Sequence, residues 1–155
     1  MHSIYFHPTT KTPKPAIFET LTNRTAAASD FALRLWLAHA FWVSGQQKLA
    51  SWAGTLYLFE YEYRVPLLAP EWAAYLATAV ELVLPVCLVL GCYGRVTATL
   101  LALFNAAAVL SYPDLGPAGL EQHLAWGLVL LSLAARGPGA WSVDAWRRLT
   151  RRETT

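Results

Sequence analysis

The chain has 155 residues, 55% apolar and 14% charged. Soluble domains carry about 25% charged residues, so this deficit, with 7 Trp and 7 Tyr, excludes an ordinary soluble domain and indicates a small, single-domain integral membrane protein. A formal charge of +2 and the lack of a basic stripe interleaved with aromatics exclude nucleic acid as a partner and leave the lipid bilayer as the first one.

Residues 1–25 read as a polar tail. Met1–Arg24 has no apolar signal-peptide core, so insertion is expected to rely on internal helices. Pro8, Pro13 and Pro15 oppose a long helix, while Ile17, Phe18 and Leu21 suit one side of a short interfacial one. His2 and His7 are isolated there and read as binding nothing. The first predicted span is 26–44. It holds Arg34, two turns in and able to snorkel back to the interface, and His39, which shares a helical face with Trp42 and Gln46. Gly45 reads as its stop, which places Gln46 and Lys48 in a loop element beyond it. Residues 49–70 are rich in aromatics (Trp52, Tyr57, Phe59, Tyr61, Tyr63), as membrane interfaces are. They read as an amphipathic surface segment and a Pro66–Pro70 re-entry.

The second span, 71–90, is the most apolar. Trp72–Gly91 is interrupted only by Thr78 and by Glu81 at its middle, and about 20 such residues cross a bilayer as a helix. Pro85 deprives the carbonyl of residue 81 of its helical N–H partner, so a kinked, locally polar spot is expected there. The face through Glu81 is small (Ala74, Ala77, Thr78), which suits close helix approach. Gly91–Gly94 is a tight turn. The third span, 95–112, has Asn105 as its interior polar residue. Pro113–Pro117 turns the chain into a fourth span, 118–135, with His123 and Trp126 on one face. Arg136-Gly137-Pro138-Gly139 is a stop, followed by a basic tail, 140–155. Cys87 and Cys92 read as small buried hydrophobes, a redox pair being the outside reading. The expected fold is therefore all-α, an integral membrane four-helix bundle over 26–139. One side would hold Lys11, Lys14, Arg24, Arg95, Arg136, Arg147, Arg148, Arg151 and Arg152, the other Lys48 and Arg64. That bias puts both termini in the cytoplasm.

Several of these pieces, in this order, resemble the DoxX family of small four-helix bacterial membrane proteins: Arg34, Gly45-Gln-Gln-Lys48, Glu81-Leu with a glycine ten residues on, Arg95, and Gly137-Pro138-Gly139 before Ser142-Val143-Asp144. Phe59-Glu-Tyr-Glu-Tyr63, Val65-Pro-Leu-Leu68 and Glu81-Leu-Val-Leu-Pro85 resemble a branch encoded beside peptide-modifying iron enzymes and metal-stress peptides. The resemblance implies a bacterial inner-membrane location and company with peptide or protein partners. It also implies ties to thiosulfate–quinone oxidoreductase subunits and oxidative-stress complexes.

Two polar constellations carry the candidate chemistry. Glu81, with Arg34 or Asn105 as its partner, forms an intramembrane polar centre that is either structural or proton-carrying. His39, Tyr112, His123 and Trp126, in the outer half, suit a quinone or ligand pocket, or are interfacial side chains with wet polar ends. No metal site is expected, and no nucleophile triad, phosphate loop or CxxC pair is present, so enzymatic activity stays open. Three functions remain: an auxiliary subunit in metal or redox stress, a quinone-linked oxidoreductase subunit, and a small transporter using the intramembrane acid. A homodimer is compatible with so small a bundle.

Overall fold

The structure is a computed structural model that describes residues 16–153, with side chains from 20 to 151. The readings of His2, His7, Ile17 and Phe18 fall outside those limits. Six helices and no strands occur among the described residues: α1 (Ala16–Ala50), α2 (Trp52–Tyr61), α3 (Pro70–Leu90), α4 (Gly94–Ser111), α5 (Pro117–Arg136) and α6 (Val143–Glu153). There are six rather than four because the surface segment and the basic tail each contain a helix, α2 and α6; α1 also far outruns the predicted first span.

The extension of α1 past its predicted end has a local cause, because Gly45 does not stop the helix. An interior glycine costs about 1 kcal/mol, and here it lets two helices touch. A Cβ on Gly45 would meet the Leu82 side chain at 2.9 Å and Glu81 Cβ at 3.1 Å. The glycine is a contact residue, and the expectation of a stop is corrected accordingly.

The break comes instead at Ser51, with φ −135° and ψ 73°. One carbonyl freed there is recovered when Thr55 Oγ1 donates to Lys48 O at 3.0 Å. Helix α2 then runs across α3 rather than along it. At its start Trp52 lies 4.6 Å from Tyr75, and toward its end Phe59 packs on Ala73, Ala74 and Ala77. Both ends therefore meet the same short stretch of α3.

Helix α3 continues through Pro85 and closes on Gly91 in the left-handed region (φ 65°), whose N–H bonds Leu88 O while Cys92 N–H bonds Cys87 O. Tyr93, also left-handed at φ 46°, has its N–H held by Asp144 Oδ1 at 3.0 Å, and Gly94 N–H donates to Asp144 Oδ2 at 2.8 Å. The first residues of α6 thus cap the start of α4. The main core joins α1, α3, α4 and α5 through Leu37, Phe41, Leu88, Leu101, Leu130 and Leu133.

The exterior is apolar as well. Val83, Leu90, Leu103, Leu110, Leu128 and Leu131 are all exposed on α3, α4 and α5. Large apolar side chains exposed on three successive long helices suit contact with lipid. Among the described residues, two helices are long and apolar enough to cross a membrane, Pro70–Leu90 and Gly94–Ser111.

Candidate functional site: a buried ion pair between two cavities

Glu81 sits near the middle of α3, about 15 Å from either end, and is 5% exposed. Its partner is Lys48, whose Nζ lies 2.8 Å from Oε1 and 2.7 Å from Oε2. Ser44, one turn before Lys48 on α1, donates to Glu81 Oε1 at 3.1 Å and accepts from Lys48 Nζ at 3.0 Å. Gly45 brings the two helices close enough for this triangle. Lys48, expected in an outer loop, is thus part of the helix packed on the middle of α3. Neither Arg34 nor Asn105 is the acid's partner.

Arg34 lies two turns away, level with the end of α3. Its Nη1 donates to Val89 O at 3.0 Å and Leu88 O at 3.4 Å, and its Nη2 to Trp141 O. Its guanidinium carbon is 5.4 Å from the Phe31 ring centroid, and its buried Nε has no hydrogen-bond partner. Arg34 is a staple from α1 to the carbonyl end of α3 and to the segment after α5. Helix C-termini favour a cation in that position.

Asn105 bonds His123 on α5. Its Nδ2 donates to the His123 carbonyl at 2.9 Å, which fixes the amide's orientation. Its Oδ1, an acceptor only, lies 2.8 Å from His123 Nδ1, so that nitrogen carries the hydrogen. The His123 ring meets Trp126 edge-on at 5.0 Å. His39 is exposed on α1 and shares a surface groove with Trp126, Trp36 and Gln122. Tyr112 belongs to a different cluster, so the four residues expected to share one pocket are divided. Gln46 is exposed.

Tyr112 ends a column of rings. Phe59 stacks on Tyr63 at 4.7 Å, and Tyr63 on Tyr112 at 5.0 Å. The Tyr112 hydroxyl donates to Glu62 Oε2 at 3.0 Å. Burial pushes the Tyr63 phenol above its ordinary range, and the charges of Glu81, Tyr112 and Glu62 add to the shift.

Two cavities meet at Lys48. One, of about 260 Å³, lies between α3 and α4 beneath the column. Its walls are apolar (Val65, Leu76, Ala77, Phe104, Ala108 among them), with Lys48, Glu81 and Tyr63 as polar points. The other, of about 490 Å³, lies between α1 and α2 and is more polar, with Ser44, Gln47, Lys48, Ser51 and Thr55 in its lining. Lys48, Phe59 and Tyr63 border both. The residues that sequence reasoning left out of this site are Ser44 and Tyr63, and it misplaced Lys48. The available signal was the one-turn spacing of Ser44 and Lys48 on a continuous helix. The glycine read as a stop concealed it. No group of His, Cys, Asp and Glu able to hold a metal occurs among the described residues.

Described residues that are helical throughout their regular structure, with an apolar exterior, two membrane-length helices among them and a paired acid inside one of these, define a helical membrane protein. Residues 29–113, more than half of the sequence, match the model of the DoxX family, and the chain belongs to that family. No curated protein and no solved structure matches it.

Proposed function

We propose that this is a multi-pass protein of the bacterial inner membrane that takes a lipophilic ligand of the quinone class into the cavity beside Lys48 and Glu81. In this reading it serves as an auxiliary subunit of a redox- or metal-stress pathway, with protein or modified-peptide partners at the outer aromatic layer. The observation that carries the proposal is the cavity itself. Its lining is apolar apart from Lys48, Tyr63, Glu81 and Ser111, and Lys48 and Glu81 are bonded to each other. Ligand sites commonly combine an apolar lining with a few convergent polar groups. The fit to a ring head on a lipid tail is good in chemistry, since Lys48 and Tyr63 donate hydrogen bonds and Glu81 accepts them. A bound quinone would supply two-electron, two-proton redox chemistry. The chain's own residues bind the head, exclude water along the tail and hold a proton at a Glu81 oxygen.

Four crossings, by α1, α3, α4 and α5, with both termini cytoplasmic, complete the proposal. The exposed Leu35 and Trp36 on α1 and Leu124 and Leu128 on α5 support the two helices that are less apolar overall. The charge bias also sharpens. Lys48 leaves the outer count, and Arg64 remains as the basic residue there.

Organic extraction of the purified protein, followed by quinone analysis, tests the binding. Ala77→Phe and Ala108→Phe fill the cavity and are expected to abolish co-purified quinone while leaving the protein monodisperse. Equal quinone in both variants and the parent sinks the proposal.

One observation favours a transporter instead. The α1–α2 break at Ser51 lies just beyond the ion pair, and broken helices around a midplane site are a device of transporters. That reading requires a gradient-driven flux in vesicles that Glu81→Gln abolishes.

A further inference from the structure

The Lys48–Glu81 pair is not equally open in all directions. Toward the arginine-rich end the bundle is filled by Leu37, Leu88, Leu101, Leu130 and Leu133, each at most 2% exposed. At that end Arg34 directs its bonded nitrogens to backbone carbonyls, and Asp30, one turn before it on α1, is paired with Arg136 at 3.0 Å. Toward the opposite end Lys48 and Ser44 line the polar cleft between α1 and α2, with Gln47, Ser51 and Thr55 around them. The cleft is large enough for several waters, each needing about 30 Å³ of liquid volume. On its other flank the same ammonium faces the apolar cavity.

We infer that Lys48 is the bridge through which Glu81 exchanges its proton with water in the α1–α2 cleft, so that the acid communicates with the outer face and is sealed from the cytoplasm. The step balances without any redox partner. The resting pair is carboxylate and ammonium. To protonate Glu81, the ammonium hands one proton to the carboxylate, directly or through the Ser44 hydroxyl, and the neutral amine so formed takes a proton from hydronium in the cleft. In reverse, the ammonium gives a proton to cleft water and the neutral carboxyl re-protonates the amine, which restores the resting pair. Every proton that Glu81 gains or loses therefore passes through the cleft. The titratable groups facing the pair are Tyr63 from the connection after α2 and, along the cleft, Tyr57.

The inference rests on the proposed orientation but not on the quinone. It is tested on the full chain in vesicles, in a background carrying Cys87→Ala and Cys92→Ala. Gln47→Cys places a thiol in the cleft. A membrane-impermeant thiol reagent is expected to label it from the outer face. The infrared carboxyl band that Glu81→Gln removes is expected to follow outer pH and to ignore inner pH. Bulky labelling of the folded Gln47→Cys protein, and separately Lys48→Met, should slow that response at least tenfold. The labelled protein keeps the test valid if Lys48→Met fails to fold. Labelling from the interior alone overturns the orientation. An unslowed band response after labelling, or a band that follows inner pH while the thiol labels from outside, overturns the route.

Discussion

Lys48 Nζ holds both oxygens of Glu81, at 2.8 and 2.7 Å, from a helix that ends at Ala50, two residues later. The acid and the base therefore meet where α1 stops short and α2 turns aside, which leaves a cavity on either flank of the ammonium.

A buried pair is costly to break and cheaper to replace as a whole. Lys48→Met and Glu81→Gln are each expected to destabilise the protein by about 3 kcal/mol, because each leaves a partner unpaired. Lys48→Met combined with Glu81→Leu should recover most of that loss. Thermal unfolding in detergent micelles measures all three. A double variant as damaged as the sum of the singles would show that the two groups do not act as a pair.

Arg34 works through the fork of its guanidinium. Arg34→Lys keeps the charge but cannot reach carbonyls on two segments at once, and is expected to cost about 2 kcal/mol. Since its partners are carbonyls two turns from Glu81, the loss should add to that of Glu81→Gln within about 0.5 kcal/mol. A large coupling in the same unfolding assay would restore the direct acid–arginine link that the structure replaces.

Gly45 separates two opposing effects. A side chain there improves helix propensity by up to about 1 kcal/mol, yet a Cβ already crowds Glu81 Cβ at 3.1 Å. Gly45→Val adds a branched group to that contact and is expected to lose about 1–3 kcal/mol by overpacking. It should also loosen the Lys48–Glu81 contact. A stabilised Gly45→Val protein would mean that α1 and α3 are less closely seated than described.

Tyr63 gives a pH dependence with a definite sign. Its phenol is raised in the folded state, by burial first and then by the Glu81, Tyr112 and Glu62 charges. The unfolded chain therefore ionises first, near the usual value of about 10. The stability contributed by the neutral phenol is complete below that pH and is lost as pH rises through the folded value. Unfolding temperature measured between neutral and strongly alkaline pH should fall less steeply in Tyr63→Phe than in the parent. Identical slopes would count against the phenol's burial.

What the sequence made legible was whatever depends on residues close together in the chain. The spans around Glu81 and Asn105, the Gly91–Gly94 turn and the stop at Arg136–Gly139 all follow from local apolar runs and turn residues. What stayed hidden depends on another helix. Gly45 is a stop by local rules and a contact only once Leu82 is opposite it. Lys48 looks like a loop cation until Glu81 is beside it. Asn105 could bond many residues, and His123 on α5 is its partner because α4 and α5 pack together. Arg34 likewise bonds the carbonyls of α3, which carry no side-chain signature.

The partners of Arg34 and Lys48 on α1 have a consequence for biogenesis. Arg34 and Lys48 find Leu88, Val89 and Glu81 on α3, so under the proposed four crossings a nascent chain that has emerged only as far as Ala69 presents both cations to lipid without those partners. α1 should then wait in the insertion machinery and leave it side by side with α3, as a preformed hairpin. Ribosome-stalled chains ending after Ala69 should remain crosslinked to the insertion channel, and those ending after Gly94 should be free of it.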